Sequence, residues 1–235
     1  MARLNPGTAS ERSVYVGAAL AALAVMFAGF APSYYLKAFS GAPELSTLKH
    51  VHGVVMTTWF VLFFVQARLV ATGRTAIHRQ LGAAGIVVAM LMVALGTTLA
   101  ITSARAGFSP ARELSPLVFL AIPLGEMVAF SVLFTAAIAL RARSPWHKRL
   151  MVLASLGMLA PAFARMLAAV GLGGPAIFGL VDLVMLACIG YDTVKNRRLH
   201  PAFGWGFAVV LLLQGGRIAL SRSAAWDSFA RWLIA

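Results

Sequence analysis

Apolar residues run along this chain in seven long stretches rather than in amphipathic stripes. At 13–33, 49–72, 79–102, 115–140, 148–170, 175–194 and 201–220 the helical wheel is apolar nearly all the way round, the pattern of a helix in an apolar surrounding. Each stretch is close to the ~20 residues a helix needs to cross a hydrocarbon core. The breaks between them are short and carry helix-stopping chemistry: Gly73-Arg74, Ser109-Pro110, Ser144-Pro145, the segment from Gly171 to Pro175, and His200-Pro201. The pattern predicts an all-α polytopic membrane protein, a seven-transmembrane-helix bundle forming one domain over 1–220. The first stretch follows Arg3 and Arg12 and has no clear small-x-small cleavage site, so a retained helix is expected rather than a signal peptide. The tail 221–235 is too short to span. Trp226, Phe229 and Leu233 recur there at helical spacing with Ser223, Asp227 and Arg231 off the stripe, which predicts an amphipathic helix lying in the membrane interface.

Composition agrees with the pattern. The 235 residues are 60% hydrophobic and 11% charged, whereas a soluble domain averages roughly half apolar and a quarter charged. Soluble globular classes and disorder are both excluded. The single Cys188 excludes a disulfide scaffold. A net charge of +13 would suit nucleic acid, but the basic residues sit between apolar runs rather than on one face, so no nucleic-acid partner is expected. They report orientation instead. With seven spans, one side holds Arg3, Arg12, Arg68, Arg74, Arg79, Arg141, Arg143, Lys148, Arg149, Lys195, Arg197 and Arg198, twelve in all. The other side holds Lys37, Lys49, Arg105, Arg112, Arg222 and Arg231, six in all. The expected topology has the N-terminus cytoplasmic and the C-terminus periplasmic, with anionic lipid headgroups meeting the more basic cytoplasmic face.

Three spans open alike on that face, at Arg74 to Arg79 with His78, Arg143 to Arg149 with His147, and Arg197 to Pro201 with His200. One reading is a ring of imidazoles for a metal, a b-type haem or a headgroup. The simpler reading, favoured by their position in the first helical turn, is interfacial topology signals.

Charges within spans are costly and mark function by default. Glu126, Arg165, Asp182 and Arg217 fall inside the stretches. Counted from Ser144, Glu126 lies 18 residues back and Arg165 lies 21 forward, so antiparallel helices bring them to similar depth. A Glu126–Arg165 pair is expected, since a bidentate Arg–carboxylate contact is the least costly way to hold both charges out of water. Gln214 and Arg217 on the last span, His52, and Thr97 complete a polar layer in the outer half. Trp59 and Gln66, deeper on the second span, need hydrogen-bond partners. His52 and Met56, four apart, share a helix face, and with His50 they form a candidate copper set.

Several chemistries are excluded. Every Lys lies in a loop or at a span end, so a retinal Schiff base has no attachment point. The five His do not make the clusters of a membrane di-iron enzyme. No GxSxG, HExxH or Walker loop is present, Cys188 has no paired His, and no catalytic residue is assigned. Broken-helix repeats of the transporter kind are not evident in the sequence.

The segment His50-Val-His52-Gly53, Trp59, Gln66, Gly73-Arg74, His78-Arg79-Gln-Leu81-Gly82 resembles a set of uncharacterised bacterial multi-pass membrane proteins with an HxHG–W–Q–GR–HRxLG signature. His147-Lys148-Arg149-Leu150-Met151 and Arg165 look like the second half of that signature. The resemblance implies the bacterial inner membrane and carries no reaction.

Two functions follow as expectations. The first is binding or transport of a small polar or anionic ligand or ion at the outward-facing layer of His52, Trp59, Thr97, Glu126, Arg165, Asp182, Gln214 and Arg217. The second is a haem- or copper-bearing, or accessory, subunit of a membrane redox or assembly system, with His50 and His52, or His78 and His147, as ligands. An enzyme is the less favoured reading.

Topology is directly testable. In a Cys188-free background, a cysteine at Arg105 should react with an impermeant thiol reagent on intact cells, and one at Arg143 should be shielded. The reverse labelling would invert the bundle.

Overall fold

Residues 9–41, 43–110 and 114–235 are described by a computed structural model. They contain no strand. Arg3 and Arg112, two of the charges that set the expected orientation, lie outside the described residues. The elements are α1 (Ala9–Phe30), a π-helical turn (Ala31–Tyr35), α2 (Lys37–Ser40), α3 (Thr47–Ala71), α4 (Thr75–Arg105), α5 (Pro116–Ala139), α6 (Ser144–Gly157), α7 (Ala160–Ala168), α8 (Pro175–Asn196), α9 (Pro201–Ser221) and α10 (Ala224–Ile234). Among the described residues seven helical segments are long and apolar enough to cross a membrane, α6 and α7 together forming the fifth. The protein is thus an all-α bundle of the polytopic membrane class. Below, the face carrying the α3–α4, α5–α6 and α8–α9 connections is the N-face, and the opposite one the C-face.

The fifth span is the axis of the bundle. Some 61% of its apolar window is buried inside the protein, against 33% or less for every other span. It is packed by α1, α5, α8 and α9, while α3 and α4 close the circle between α1 and α5. Outer spans expose large apolar side chains such as Val54, Met90, Val128, Leu183 and Leu212, as lipid-facing helices do. Small residues allow the closest approach. A Cβ on Gly29 of α1 would lie 2.6 Å from the Ala162 carbonyl of α7, so only glycine lets these two backbones meet here.

The fifth span was expected to be one helix over 148–170, and the structure divides it. Met158 and Leu159 form a turn between α6 and α7, with their N–H groups donating to Ser155 and Leu156 three residues back. Pro161 is the cause. It has no N–H for the Gly157 carbonyl, and its ring clashes with a regular preceding turn. A helix broken at membrane depth is tolerated where the freed backbone is enclosed in protein or lines a cavity.

The expected tail helix is present as α10, capped by Ser223, whose Oγ accepts from the Trp226 N–H. It docks on the bundle more firmly than an interfacial helix requires. Trp226 and Ala230 are buried with Ala100, Ala104, Leu120 and Ala121 of α4 and α5. Trp226 Nε1 donates to the Leu117 carbonyl at 2.8 Å, and Arg105 Nε donates to the Ile234 carbonyl at 2.9 Å. Phe229, placed on the apolar stripe by its spacing, is instead 45% exposed beside Trp232.

At the other end of the bundle, His200 caps α9 by accepting the Ala202 N–H at Nδ1, 3.1 Å away. Only the neutral imidazole can accept there. Burial holds the His200 imidazole below its ordinary value, and the Arg149 guanidinium adds to the effect. A lowered folded-state pKa means the contribution is complete above the unfolded value, about 6.5, and is lost as pH falls through the folded one. The melting temperature in detergent should therefore drop on going from pH 7.5 to 5. His200→Asn, which caps without titrating, should show a smaller drop. Equal drops would mean that this proton is not linked to the α9 terminus.

Candidate functional site

Two buried ion pairs lie inside the bundle, at different depths. The pair nearer the C-face joins α5 to α9. Glu126 and Arg217 are 8% and 9% exposed, and Arg217 Nη1 lies 3.8 Å from Glu126 Oε1. Arg217 reaches this position because residue 125 is glycine. A Cβ there would stand 2.5 Å from the arginine Cδ, so the guanidinium stem lies flat across the α5 backbone. Its Nη1 donates to the Ile122 carbonyl at 2.9 Å, and the ring of Phe178 covers it at 4.6 Å. Its Nε has no hydrogen-bond partner among the described residues.

Next to this pair is a cavity of about 30 Å³, lined among others by Gly125, Glu126, Gly157, Met158, Gln214 and Arg217. That volume holds one or two waters. Gly157 and Met158 are the two residues at the α6–α7 break, so the cavity sits where the central helix has lost its regular ladder. Gln214 also reaches Asp182, donating from Nε2 to Oδ1 at 2.9 Å. The polar layer therefore has a real core in Glu126, Arg217, Gln214 and Asp182, drawn from α5, α9 and α8.

Arg165 is not part of it. The expected Glu126–Arg165 pair is not formed. Arg165 donates to the Pro161 carbonyl one turn back at 2.9 Å and lies over the Phe30 ring at 4.1 Å. Counting residues along a helix says nothing about azimuth, and α7 turns this side chain toward α1. There it comes within electrostatic range of His52. Thr97 is half-buried on α4 beside Gly96 and does not line the cavity. His50 is exposed, with its ring 5.9 Å from that of Tyr34. His52 and Met56 are half-buried, and the His52 Nδ1 is buried without a partner among the described residues. Among the described residues no group of three His, Cys, Asp or Glu is placed to hold a metal.

The α3 helix carries a further regularity. His52, Trp59 and Gln66 are seven apart and so share one face. His52 Nδ1, Trp59 Nε1 and Gln66 Oε1 are all buried with no partner among the described residues. Trp59 is held in place by edge contacts to Phe130 and Phe134 of α5, at 5.1 and 5.6 Å.

The second ion pair was missed by the sequence reading, which took Arg149 as an interfacial charge and gave Asp192 no role. Arg149 and Asp192 are 3% and 5% exposed. Their contact is bidentate, Nε to Oδ2 at 3.0 Å and Nη2 to Oδ1 at 2.7 Å. The Tyr15 hydroxyl also donates to Asp192 Oδ1 at 3.1 Å, and Arg149 Nη1 donates to the Pro145 carbonyl at 2.9 Å. The pair thus ties α1, α6 and α8 together at the N-face. A signal existed. Arg149 falls at i−3, i−4 and i−7 from Val152, Leu153 and Leu156, all buried, so its helix face points inward, while the adjacent Lys148 lies over the Tyr15 ring at 4.9 Å.

No protein-family model, curated protein or solved structure matches this chain.

These contacts predict the pattern of couplings in a double-mutant cycle of unfolding. Glu126→Gln and Arg217→Met should couple by about 0.5–3 kcal/mol, while Glu126→Gln and Arg165→Met should be additive. Asp192→Asn alone should cost on the order of 3–5 kcal/mol, because it strands Arg149 in the bundle. Coupling of Glu126 to Arg165 instead would reverse the assignment.

Proposed function

We propose that this protein sits in the bacterial inner membrane, N-terminus cytoplasmic and C-terminus periplasmic, and binds or moves a small ion or proton at the Glu126–Arg217 layer. The observation that carries this reading is the coincidence of three features at one point: a buried carboxylate, a cavity large enough for water, and a break in the central span. An ion site at membrane depth has these requirements, because half-helix ends expose backbone carbonyls where a continuous helix would hide them. A pair serving only to lock helices together would need no break in the central span, and the Arg149–Asp192 pair, beside a smaller cavity of about 10 Å³, has no broken helix at it and no orphaned guanidinium nitrogen among the described residues.

The size of the cavity narrows the ligand. An organic anion does not fit about 30 Å³, whereas a monatomic ion or a water carrying a proton does. Glu126 is the group that exchanges charge in this reading. Arg217 Nη1 lies 3.8 Å from its Oε1, and Gln214 and Asp182 form the polar wall toward α8. The HxHG–W–Q–GR–HRxLG resemblance is compatible with this location and adds no chemistry.

Proteoliposomes with a pH-sensitive dye inside test the proposal. Wild-type protein should dissipate an imposed proton or alkali-cation gradient faster than protein-free liposomes, by at least about tenfold, and Glu126→Gln should abolish the difference. Wild-type and Glu126→Gln proteins behaving alike would remove Glu126 from any transport role.

A further inference from the structure

The three histidines that open spans on the N-face are separated by the fold into two roles. His200 caps α9 and has its ring 5.6 Å from that of Trp146. His78 of α4 and His147 of α6 come together, with ring centres 6.3 Å apart. The His147 ring is oriented by a backbone carbonyl through one nitrogen, which leaves the other for a ligand. His147 Nδ1–H donates to the Ala137 carbonyl at 2.9 Å, which fixes Nε2 as its lone-pair nitrogen. The His78 ring lies close to the α3 backbone at Gln66. Its Nδ1 is buried with no partner among the described residues. One nitrogen anchored on a carbonyl and the other left basic is the arrangement that prepares an imidazole for a metal.

A third donor is nearby. Gln66 Oε1 is also buried without a partner among the described residues, and the same side-chain amide lies against α4 at Gly82, one turn beyond His78, with Nε2 3.8 Å from where a Cβ would be. Without a ligand, His78 Nδ1 and Gln66 Oε1 both stay buried and unsatisfied among the described residues. Metal–nitrogen bonds of about 2.0–2.1 Å, with roughly 1.2 Å from nitrogen to ring centre, place two imidazoles on one ion just over 6 Å apart when near-linear. The observed 6.3 Å matches that separation.

We propose that His78 and His147, with Gln66 as a weak third donor, bind a single cuprous ion near the N-face. The charge of the site selects this ion. Among the described residues no carboxylate or thiolate is grouped with these histidines, and Arg79 is close enough to act on the charge of His78. A divalent ion with only neutral ligands beside a guanidinium is penalised twice as heavily by that charge as a monovalent one. Imidazole is a ligand copper accepts readily, and cuprous copper is stable with two.

The test uses the full chain purified in detergent, kept reduced and titrated with Cu(I) against a coloured Cu(I) chelator. Wild-type protein should take up one equivalent. His78→Ala and His147→Ala should each weaken binding by at least about tenfold, the lower end of what even an outer-shell change costs a metal site. His200→Ala should bind as wild type does. X-ray absorption on the copper-loaded wild type needs no variant and should show imidazole scattering from two rings. The proposal is overturned by substoichiometric uptake, by unchanged affinity in both His78→Ala and His147→Ala, by an absorption spectrum with a single imidazole, or by a Soret band in the purified protein. The last result would place a haem, not a single ion, on these histidines.

Discussion

A polar group at membrane depth has no water to fall back on, so it must find its partner inside the protein. That constraint organises the interior of this bundle. Arg149 has its forked donors shared between Asp192 and the Pro145 carbonyl. Arg217 has the Ile122 carbonyl, the Glu126 carboxylate and the face of Phe178. Arg165, with no carboxylate beside it, turns back on its own helix to the Pro161 carbonyl and lies over Phe30. In each case a proline or a glycine on a helix makes the accommodation possible. Pro145 opens α6 near the interface, Gly125 gives Arg217 a bed, and Pro161 breaks the central span.

The two ion pairs meet this constraint to different degrees. Arg149–Asp192 is short, bidentate and joined by a tyrosine hydroxyl, which is how a buried pair offsets its desolvation cost. Glu126–Arg217 is long at 3.8 Å, leaves Arg217 Nε without a partner among the described residues, and borders the larger of the cavities that touch the two pairs. A pair that is incompletely satisfied beside a water-sized space is one that another species can join. The central position of the broken span matters here. It brings the freed backbone of Gly157 and Met158 to the same cavity as the charges, away from lipid.

The orphaned atoms of α3 follow a related logic. His52, Trp59 and Gln66 recur every seven residues along one helix face, and each brings a donor or acceptor that the fold leaves open. Gln66 lies next to the His78–His147 pair, and His52 next to Arg165. One helix therefore carries unpartnered polar atoms toward both ends of the bundle, with the ring contacts of Trp59, Phe130 and Phe134 between them.

How much of this was legible beforehand depends on the range of the interaction. The seven spans, their breaks and the tail helix follow from local chemistry: long apolar runs have one stable form in lipid, and glycine, proline and serine end them through backbone effects confined to a few residues. The intramembrane charges at Glu126, Arg165, Asp182 and Arg217 were visible for the same reason, each standing out in an apolar run. Partner choice was not. Depth along a helix can be counted at about 1.5 Å per residue, but rotation about the axis and the choice of neighbouring helix are set by packing across the whole bundle. So Glu126 meets Arg217 rather than Arg165. Arg149 turns inward though its neighbours Lys148 and His147 mark an interface, and Phe229 faces out although its spacing points in. The sequence by itself determined an all-helical membrane bundle and the polar residues it would have to satisfy. Only the tertiary structure decided which of them satisfy each other, because a charge in lipid can pair with any opposite charge at its level, and steric fit among seven helices selects one.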